Sequence, residues 1–253
     1  MIRMEYQNKS LRKAFEIIES LCAKPMTATE LSKKLNLNPS TLHRFLANLE
    51  TMGYTEKLKN NQVRLTQQFI QLGKMAQAHY DVEALAKPYL KKLADSTGES
   101  VLLSSFHQFK VTYLDKIESS QTVRIVLGPG SHAPSYAVAS GKLFLSQLSP
   151  EQLDDFFANT ELKPFTKNTF ADEVQLRKEL VHIRAQNYAI DEEEYEIGLK
   201  GFAAPIREAT GTMIAALSVA GVSLRFDDEK SKATIEQLLR YAELISIDLG
   251  WKR

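Results

Sequence analysis

Cysteine and long apolar runs are scarce in this chain of 253 residues. A single cysteine, Cys22, excludes an intrachain disulfide and a thiolate metal cage built from one chain. It shares a helical stripe with Leu11, Phe15 and Ile18, so it is expected to be a small buried hydrophobe rather than a reactive thiol. No apolar stretch approaches the roughly 20 residues of a membrane span, and the start MIRMEYQNKS lacks the apolar core of a signal peptide. The expected location is the cytoplasm, with no membrane partner. The five histidines, His43, His79, His107, His132 and His182, offer no pair at helical spacing, so neither a metal site nor a cofactor is expected. Aspartate is absent from residues 1–80, where twelve Lys and Arg stand against six Glu. The front is therefore roughly +6 and the rest, with 20 basic and 25 acidic residues, roughly −5, although the whole chain is only +1. A basic front suggests a polyanionic partner.

What is present in that front third is a run of punctuated helices. Leu11, Phe15, Ile18 and Leu21 keep helical spacing after Ser10 as cap, and Lys24-Pro25 closes the pattern. Thr27 and Glu30 form a capping-box pair ahead of Leu31 and Leu35. After a turn from Leu35 to Asn38, Asn38 caps a third helix with Pro39 at its first position, and Gly53 ends it. On that third helix Leu42, Phe45, Leu46 and Leu49 fall within roughly 100° of arc and must face a core. The remaining surface carries Ser40, Thr41, His43, Arg44, Ala47, Asn48 and Thr51, with Glu50 as its one acid, which suits base edges and phosphates better than a merely solvated face. YTEKL and VRLTQ then flank Lys59-Asn60-Asn61-Gln62 as a hairpin whose Lys57, Lys59 and Arg64 suit phosphate contact. Three helices and a basic hairpin make a winged helix-turn-helix, predicted over residues 1–66, with double-stranded DNA as its partner.

Residues 67–80, QQFIQLGKMAQAHY, read as a linker helix, and residues 81–253 as a second domain. A helix is expected from Val82 to about Ser96, kinked or restarted at Pro88 and closed by Gly98. ESVLLSSF, KVTYLDKI, VRIVL, FAAPI and TMIAALSV read as strands, with helices near 140–148, 150–158, 171–186 and 227–249. Hairpin-linked strands with grouped helices predict an α+β domain built on an antiparallel sheet. AVASGKLFLSQL places Ala139 and Ser140 at a helix start, where free N–H groups favour an anion.

The motifs TELSKKLNLNPSTLHRFLANLETMGY, TGES, VTYLDKIES, LGPGSHAPSYAVASGK, NYAIDEEEYEIGLKGFAAPI and AALSVAG, in this order and spacing over nearly the whole chain, resemble the IclR family of bacterial transcription regulators. The resemblance implies a homodimer or homotetramer on a partly symmetric operator, a GAF-like effector domain, and a small organic acid as effector. It places Ile125 and Ala133 as apolar walls of the effector site, Ala139 and Ser140 as backbone donors, and Tyr136, Asp191, Gly201 and Ser218 around the ligand. Many relatives carry Cys at the position of Gly201, Ser at that of Ala220 and His at that of Tyr136; the smaller residues here imply more room and a ligand larger than a two- or three-carbon keto acid.

Several motifs imitate other chemistry. GPGSHA has Pro129 between its glycines and opens no helix for a pyrophosphate, and Ser140-Gly141-Lys142 lacks the flanking residues of a P-loop. DEEEYE is expected as a solvated turn with one ligand-facing carboxylate, Asp191. Ser131 and His132, adjacent in sequence, have no third member for nucleophilic catalysis. The chain is expected not to be an enzyme. Two rival readings are a GAF-like enzyme with a regulatory winged helix, disfavoured for redox chemistry by a second domain without cysteine, and a protein-interaction module that uses the hairpin.

Overall fold

The computed structural model describes residues 8–77 and 82–252, which fall into two compact units divided at Tyr80. The last residues of the expected linker, 78–80 with His79, lie outside the described residues, as do residues 1–7.

The first unit runs α1 (Lys9–Ala23), β1 (Met26–Thr27), α2 (Ala28–Leu35), α3 (Pro39–Thr51), β2 (Thr55–Lys57), β3 (Gln62–Leu65) and α4 (Gln68–Gln77). Its core is Ile17, Leu21, Met26, Leu31, Leu42, Leu46, Leu49 and Val63, with Phe45 and Leu35 packed at the edge. Burying each large aliphatic here contributes about 1.5–3 kcal/mol. The capping box of α2 is formed: the Thr27 hydroxyl accepts from Glu30 N–H at 3.3 Å and Glu30 accepts from Thr27 N–H at 2.7 Å. The backbone N–H bond holds the Glu30 carboxyl below its ordinary range. Asn38 caps α3, and Gly53 at φ 80° closes it while Tyr54 N–H reaches back to the Leu49 carbonyl at 2.8 Å. The hairpin of β2 and β3 turns through Asn61 at φ 63°. β1, too short to show a period, adds a third strand beside β3.

Helix α1 departs from expectation. Asn8, not Ser10, is the cap, because its side chain accepts from both Ser10 and Leu11 N–H. The core takes the stripe Ile17–Ser20–Leu21, and the neighbouring stripe, turned roughly 100° about the axis, stays outside: Leu11 is 58% and Phe15 55% exposed, and Cys22 is exposed rather than buried.

The second unit runs α5 (Val82–Thr97), β4 (Ser100–His107), β5 (Lys110–Ile117), β6 (His132–Pro134), α6 (Ala139–Leu145), α7 (Pro150–Asn159), α8 (Glu173–Gln186), β7 (Ala189–Glu192), β8 (Leu199–Arg207), β9 (Met213–Val222) and α9 (Asp228–Asp248). The strands form one antiparallel sheet in the order β6-β5-β4-β9-β8-β7. Alternation divides its residues. Val101, Leu103, Phe202, Ala204, Ile206, Leu217 and Val219 pack with Leu90 and Leu93 of α5 and Leu238, Ala242 and Ile245 of α9. On the other face Ala203 and Ala216 meet Ala139 and Leu143 of α6, backed by Leu176, Leu180 and Ile183 of α8. Helix α6 lies close because its neighbours are small and because Gly141 has no Cβ, which would fall 2.2 Å from the Ser135 carbonyl oxygen.

Helix α5 is continuous through Pro88, so of the two outcomes expected there the restart does not occur; Ala84 and Pro88 lie on its exposed face, where solvent can satisfy the carbonyl that proline leaves without a donor. One further expectation fails in this unit and another is only half met. VRIVL is not a strand. Ile125 and Leu127 point in and Val126 is 92% exposed, which is strand-like alternation, but the segment forms no ladder, and β5 is paired on that edge by His132–Pro134 at Lys110–Thr112. DEEEYE is a solvated turn only in part: Asp191 and Glu192 belong to β7, a strand missed in the sequence, residues 193–196 bend with Glu196 exposed, and Glu194 is only 4% exposed.

Candidate functional site

On the first unit, α3 holds Ser40, His43, Arg44 and Asn48 exposed on one side while Leu42, Leu46 and Leu49 anchor the other; Thr41 is half-buried at the margin. The Ser40 hydroxyl donates to Asn38 Oδ1 at 2.8 Å, so it is partly engaged by the cap. A groove lined by His43, Ala47 and Glu50 of α3, Thr27–Thr29 at the start of α2, and Thr55–Lys57 and Asn61 of the hairpin joins helix and wing. Lys57 and Lys59 are exposed, whereas Arg64 is tied across the hairpin to Glu56 at 2.8 Å. This surface can offer donors to a polyanion, and Glu56 and Glu50 are the acids within it.

The second unit contains a small cavity between the sheet and α6, about 30 Å³ in volume. Ile125, Ala139, Ser140, Asp191, Gly201 and Ser218 all border it, brought together from five separate segments. Ala133 does not border it but packs behind, against Leu102, Val111, Tyr113 and Val138. Tyr136 points elsewhere: its hydroxyl accepts from Lys163 N–H at 3.0 Å and its ring stacks on Phe165. A Cβ on Gly201 would meet Asp191 and Ala139 at ordinary contact distances of 3.6 and 3.9 Å, so the glycine leaves room for about one methyl group, and Tyr113, Tyr195 and Leu199 also line the cavity, which is small as a whole.

Polar groups in this wall are under-used. The Ser218 hydroxyl is buried with no partner, and Val138, which precedes α6, supplies no side-chain cap to the helix N–H groups. Asp191 accepts from Glu194 N–H at 2.8 Å, yet burial, followed by the nearby Glu194 charge, pushes its carboxyl up to about 7. Glu194 is raised as well, first by burial, against the opposing pull of Lys142. Lys142 is wholly buried, 2.5 Å from Glu194 and 3.8 Å from Glu179, with its ammonium 4.7 Å from the centre of the Phe170 ring. Burial also raises the Tyr113 phenol, and the Asp191 charge adds to it. Lys142, Glu194, Tyr113 and Tyr195 were missed in the sequence. Tyr113 was findable, since it follows Val111 on the inward period of KVTYLDKI; Lys142 stood out only as the single cation in the wholly buried helix ASGKLFL.

The imitation motifs resolve differently. Ser131 hydrogen-bonds to the Gly128 carbonyl and His132 Nδ1 lies 3.0 Å from Thr112 Oγ1, so the two do not serve one another. Among the described residues no group of His, Cys, Asp and Glu side chains is arranged to hold a metal ion, and no helix is long and apolar enough to cross a membrane.

Two family descriptions match this chain: bacterial transcriptional regulator IclR C-terminal over residues 74–247, and IclR helix-turn-helix domain over residues 10–59. The DNA-binding transcriptional repressor YiaJ of Escherichia coli K12 is 30% identical over 250 residues, covering 96% of this chain and 89% of that protein. The HTH-type transcriptional regulator KdgR of the same organism is 29% identical over 244 residues, covering 96% and 93%. The crystal structure of the Thermotoga maritima IclR superimposes with a TM-score of 0.65 at 30% identity, covering 97% of this chain and 100% of that one.

Proposed function

The chain belongs to the IclR family of bacterial transcription regulators, and on that premise we propose that a small carboxylate bound in the second unit controls how the first unit grips operator DNA. Ser40, Thr41, His43, Arg44 and Asn48 of α3 enter a major groove, with Lys57, Lys59 and Arg64 of the wing on flanking phosphates. Two copies set the half-site spacing, and the uncovered Leu11–Phe15–Cys22 stripe supports association of the chain with itself in the cytoplasm, as a dimer or tetramer. Residues 67–80 link the winged helix of residues 1–66 to the effector domain of residues 81–253, and two arrangements of the link carry the signal if the effector prefers one of them.

The observation that carries the ligand half is the buried Ser218 hydroxyl, without a partner among the described residues, in the wall of a small cavity. A carboxylate there accepts from Ser218 and from the free N–H groups at Ala139 and Ser140, while Asp191, raised by burial to about 7, donates a proton in the fraction of molecules that carry one near neutral pH. The cavity as it stands favours a compact acid, and a larger one requires Tyr195 and Leu199 to move. Thermal melting of the full chain against two- to four-carbon and aromatic carboxylates tests this, since a ligand of the native state raises the melting temperature by mass action. A rise that Ser218→Val removes is the expected result; a rise that Ser218→Val leaves intact places the ligand elsewhere. For the DNA half, affinity for random duplex should fall steeply with salt. Affinity indifferent to salt would refute it and favour the protein-interaction reading.

A further inference from the structure

The geometry points to a second anion site in the same unit, at Arg207, suited to a carboxylate or phosphate monoester that carries an apolar body. Arg207 ends β8 at a register shift between Ile206 and Arg207, a bulge of the kind that re-aims a side chain. Its guanidinium is part-buried, and burial alone lowers its affinity for the proton. No carboxylate meets it among the described residues. Its partners are neutral: the Gly211 carbonyl at 3.0 Å, Asn187 Oδ1 at 3.1 Å and Gln147 Oε1 at 3.2 Å. Nε–H and the second N–H on Nη1 are left without a partner among these, on a side chain that buried sites elsewhere in this unit, such as Glu99 with Arg225, match to an acid.

Arg207 also borders two depressions. The larger, about 560 Å³, sets Phe106, Phe144, Leu148 and Met213 opposite Gln147, Gln152, Thr210 and Thr212. That is room for a small molecule in an open depression whose lining is mixed, with polar and apolar surface in similar measure, as a ligand with a charged head and an apolar body requires. The smaller, about 210 Å³, lies on the other side of the guanidinium beside Asn187 and Trp251. Arg184 adds a second cation near the rim, donating to the Leu148 carbonyl at 3.0 Å. Glu208, on the hairpin that follows, is occupied with the Thr210 hydroxyl at 2.9 Å. Arg207 lies six steps along β8 from Gly201, which is in the wall of the effector cavity, a span of roughly 20 Å. The two sites are distinct, and α6 touches both, through Ala139 and Ser140 at one end and Phe144 at the other.

Calorimetric titration of the full chain with 3-phenylpropionate and with phenyl phosphate, each against its uncharged analogue 3-phenylpropanamide or phenol, tests the assignment. Binding of at least one anion, with the uncharged analogue about tenfold or more weaker, is expected from the loss of charge-assisted hydrogen bonds. Arg207→Met should weaken the anion by a similar factor, and Ser218→Val, in the first cavity, should leave it unchanged. Because Arg207 also ties the hairpin to Asn187 and Gln147, Gln152→Glu provides a variant that leaves those ties alone: glutamate keeps the capping box of α7 with Ser149 and places a negative charge in the pocket wall. It should weaken the anion several-fold with an unchanged melting temperature. No heat from either anion at millimolar concentration, or binding abolished by Ser218→Val and indifferent to Gln152→Glu, would overturn the proposal.

Discussion

In the first unit the cations Arg44, Lys57 and Lys59 stand exposed on α3 and its hairpin, whereas in the second Lys142, Glu194 and Asp191 are all within 4% of full burial. The chemistry follows from that placement. An exposed cation costs little to hold and is screened by salt, so it can exchange one anion for another, which is what gripping a phosphate backbone requires. A buried ion is tolerated only while paired, so it is fixed in place and sensitive to any change of its partner. One unit presents its charges to solvent; the other holds its polar groups inside, where the proposed effector would have to reach them.

The sharpest way to break this contrast is to remove one partner of the buried pair. Lys142→Met should cost about 3–5 kcal/mol, because it leaves the Glu194 carboxylate buried and uncompensated. Denaturant unfolding of the full chain checks this, and the double variant with Glu194→Leu should recover most of the loss. If Lys142→Met cost less than about 1 kcal/mol, the pair would be behaving as a surface one.

Next in size is a pH effect. Asp191 titrates near 7 in the folded chain against 3.8 in the open one, and Glu194 is raised in the same sense. A raised carboxyl makes the folded state bind the extra proton, so its contribution is fully present below about pH 4 and is lost as pH rises toward 7. Asp191→Asn should therefore remove a decline in stability across that window, worth a few kcal/mol. Melts of both proteins at pH 5 and pH 8 measure it: the asparagine variant should be relatively more stable at pH 8. Glu99 works in the opposite direction, its carboxyl held low by Arg225 and Lys230 despite burial, so only the difference between wild type and variant isolates Asp191.

The same contrast governs what could be read in advance. Helix α3 is specified within residues 38–54 by Asn38, Pro39 and Gly53, each acting on its immediate neighbours, and the structure contains each of those local devices. The cavity is assembled by pairings such as Gly201 with Ala220 and Asp191 with Gly201, and by Lys142 meeting Glu194 across 52 residues; no local pattern encodes these. Ile125, Asp191, Gly201 and Ser218 were nameable only through resemblance to a family. Periodicity also fails where two answers share one period. On α1 both Ile17–Leu21 and Leu11–Phe15–Cys22 are helical stripes, and only packing decides which turns inward. VRIVL alternates as a strand does, but alternation does not supply backbone partners: β6 pairs with β5 at Lys110–Thr112, and VRIVL joins no ladder among the described residues.

On the exposed side, Arg44→Ala should weaken operator binding by about 1–3 kcal/mol if the guanidinium reads a base, with discrimination relaxed at one position of the site. Fold stability should be untouched, since the side chain is outside the core. Competition binding against a library of single-base operator variants checks both. A uniform loss across the library would reassign Arg44 to the phosphates.

The smallest expected effect tests the exposed side most directly. Glu56 and Arg64 face each other across β2 and β3 with both side chains about half exposed, and a pair of that kind contributes about 0–1 kcal/mol to folding. Replacing Glu56 with Gln should therefore barely move the melting temperature. On DNA the outcome differs: the change removes a negative charge from the wing and releases Arg64 to a phosphate, so affinity at low salt should rise a few-fold and the slope of log affinity against log salt should steepen by up to about one. Glu56→Gln on an Arg64→Ala background separates the two contributions, because only the loss of repulsion remains there. If the slope of Glu56→Gln matched wild type, Arg64 would be a strut of the hairpin and the wing would contact DNA through Lys57 and Lys59 alone.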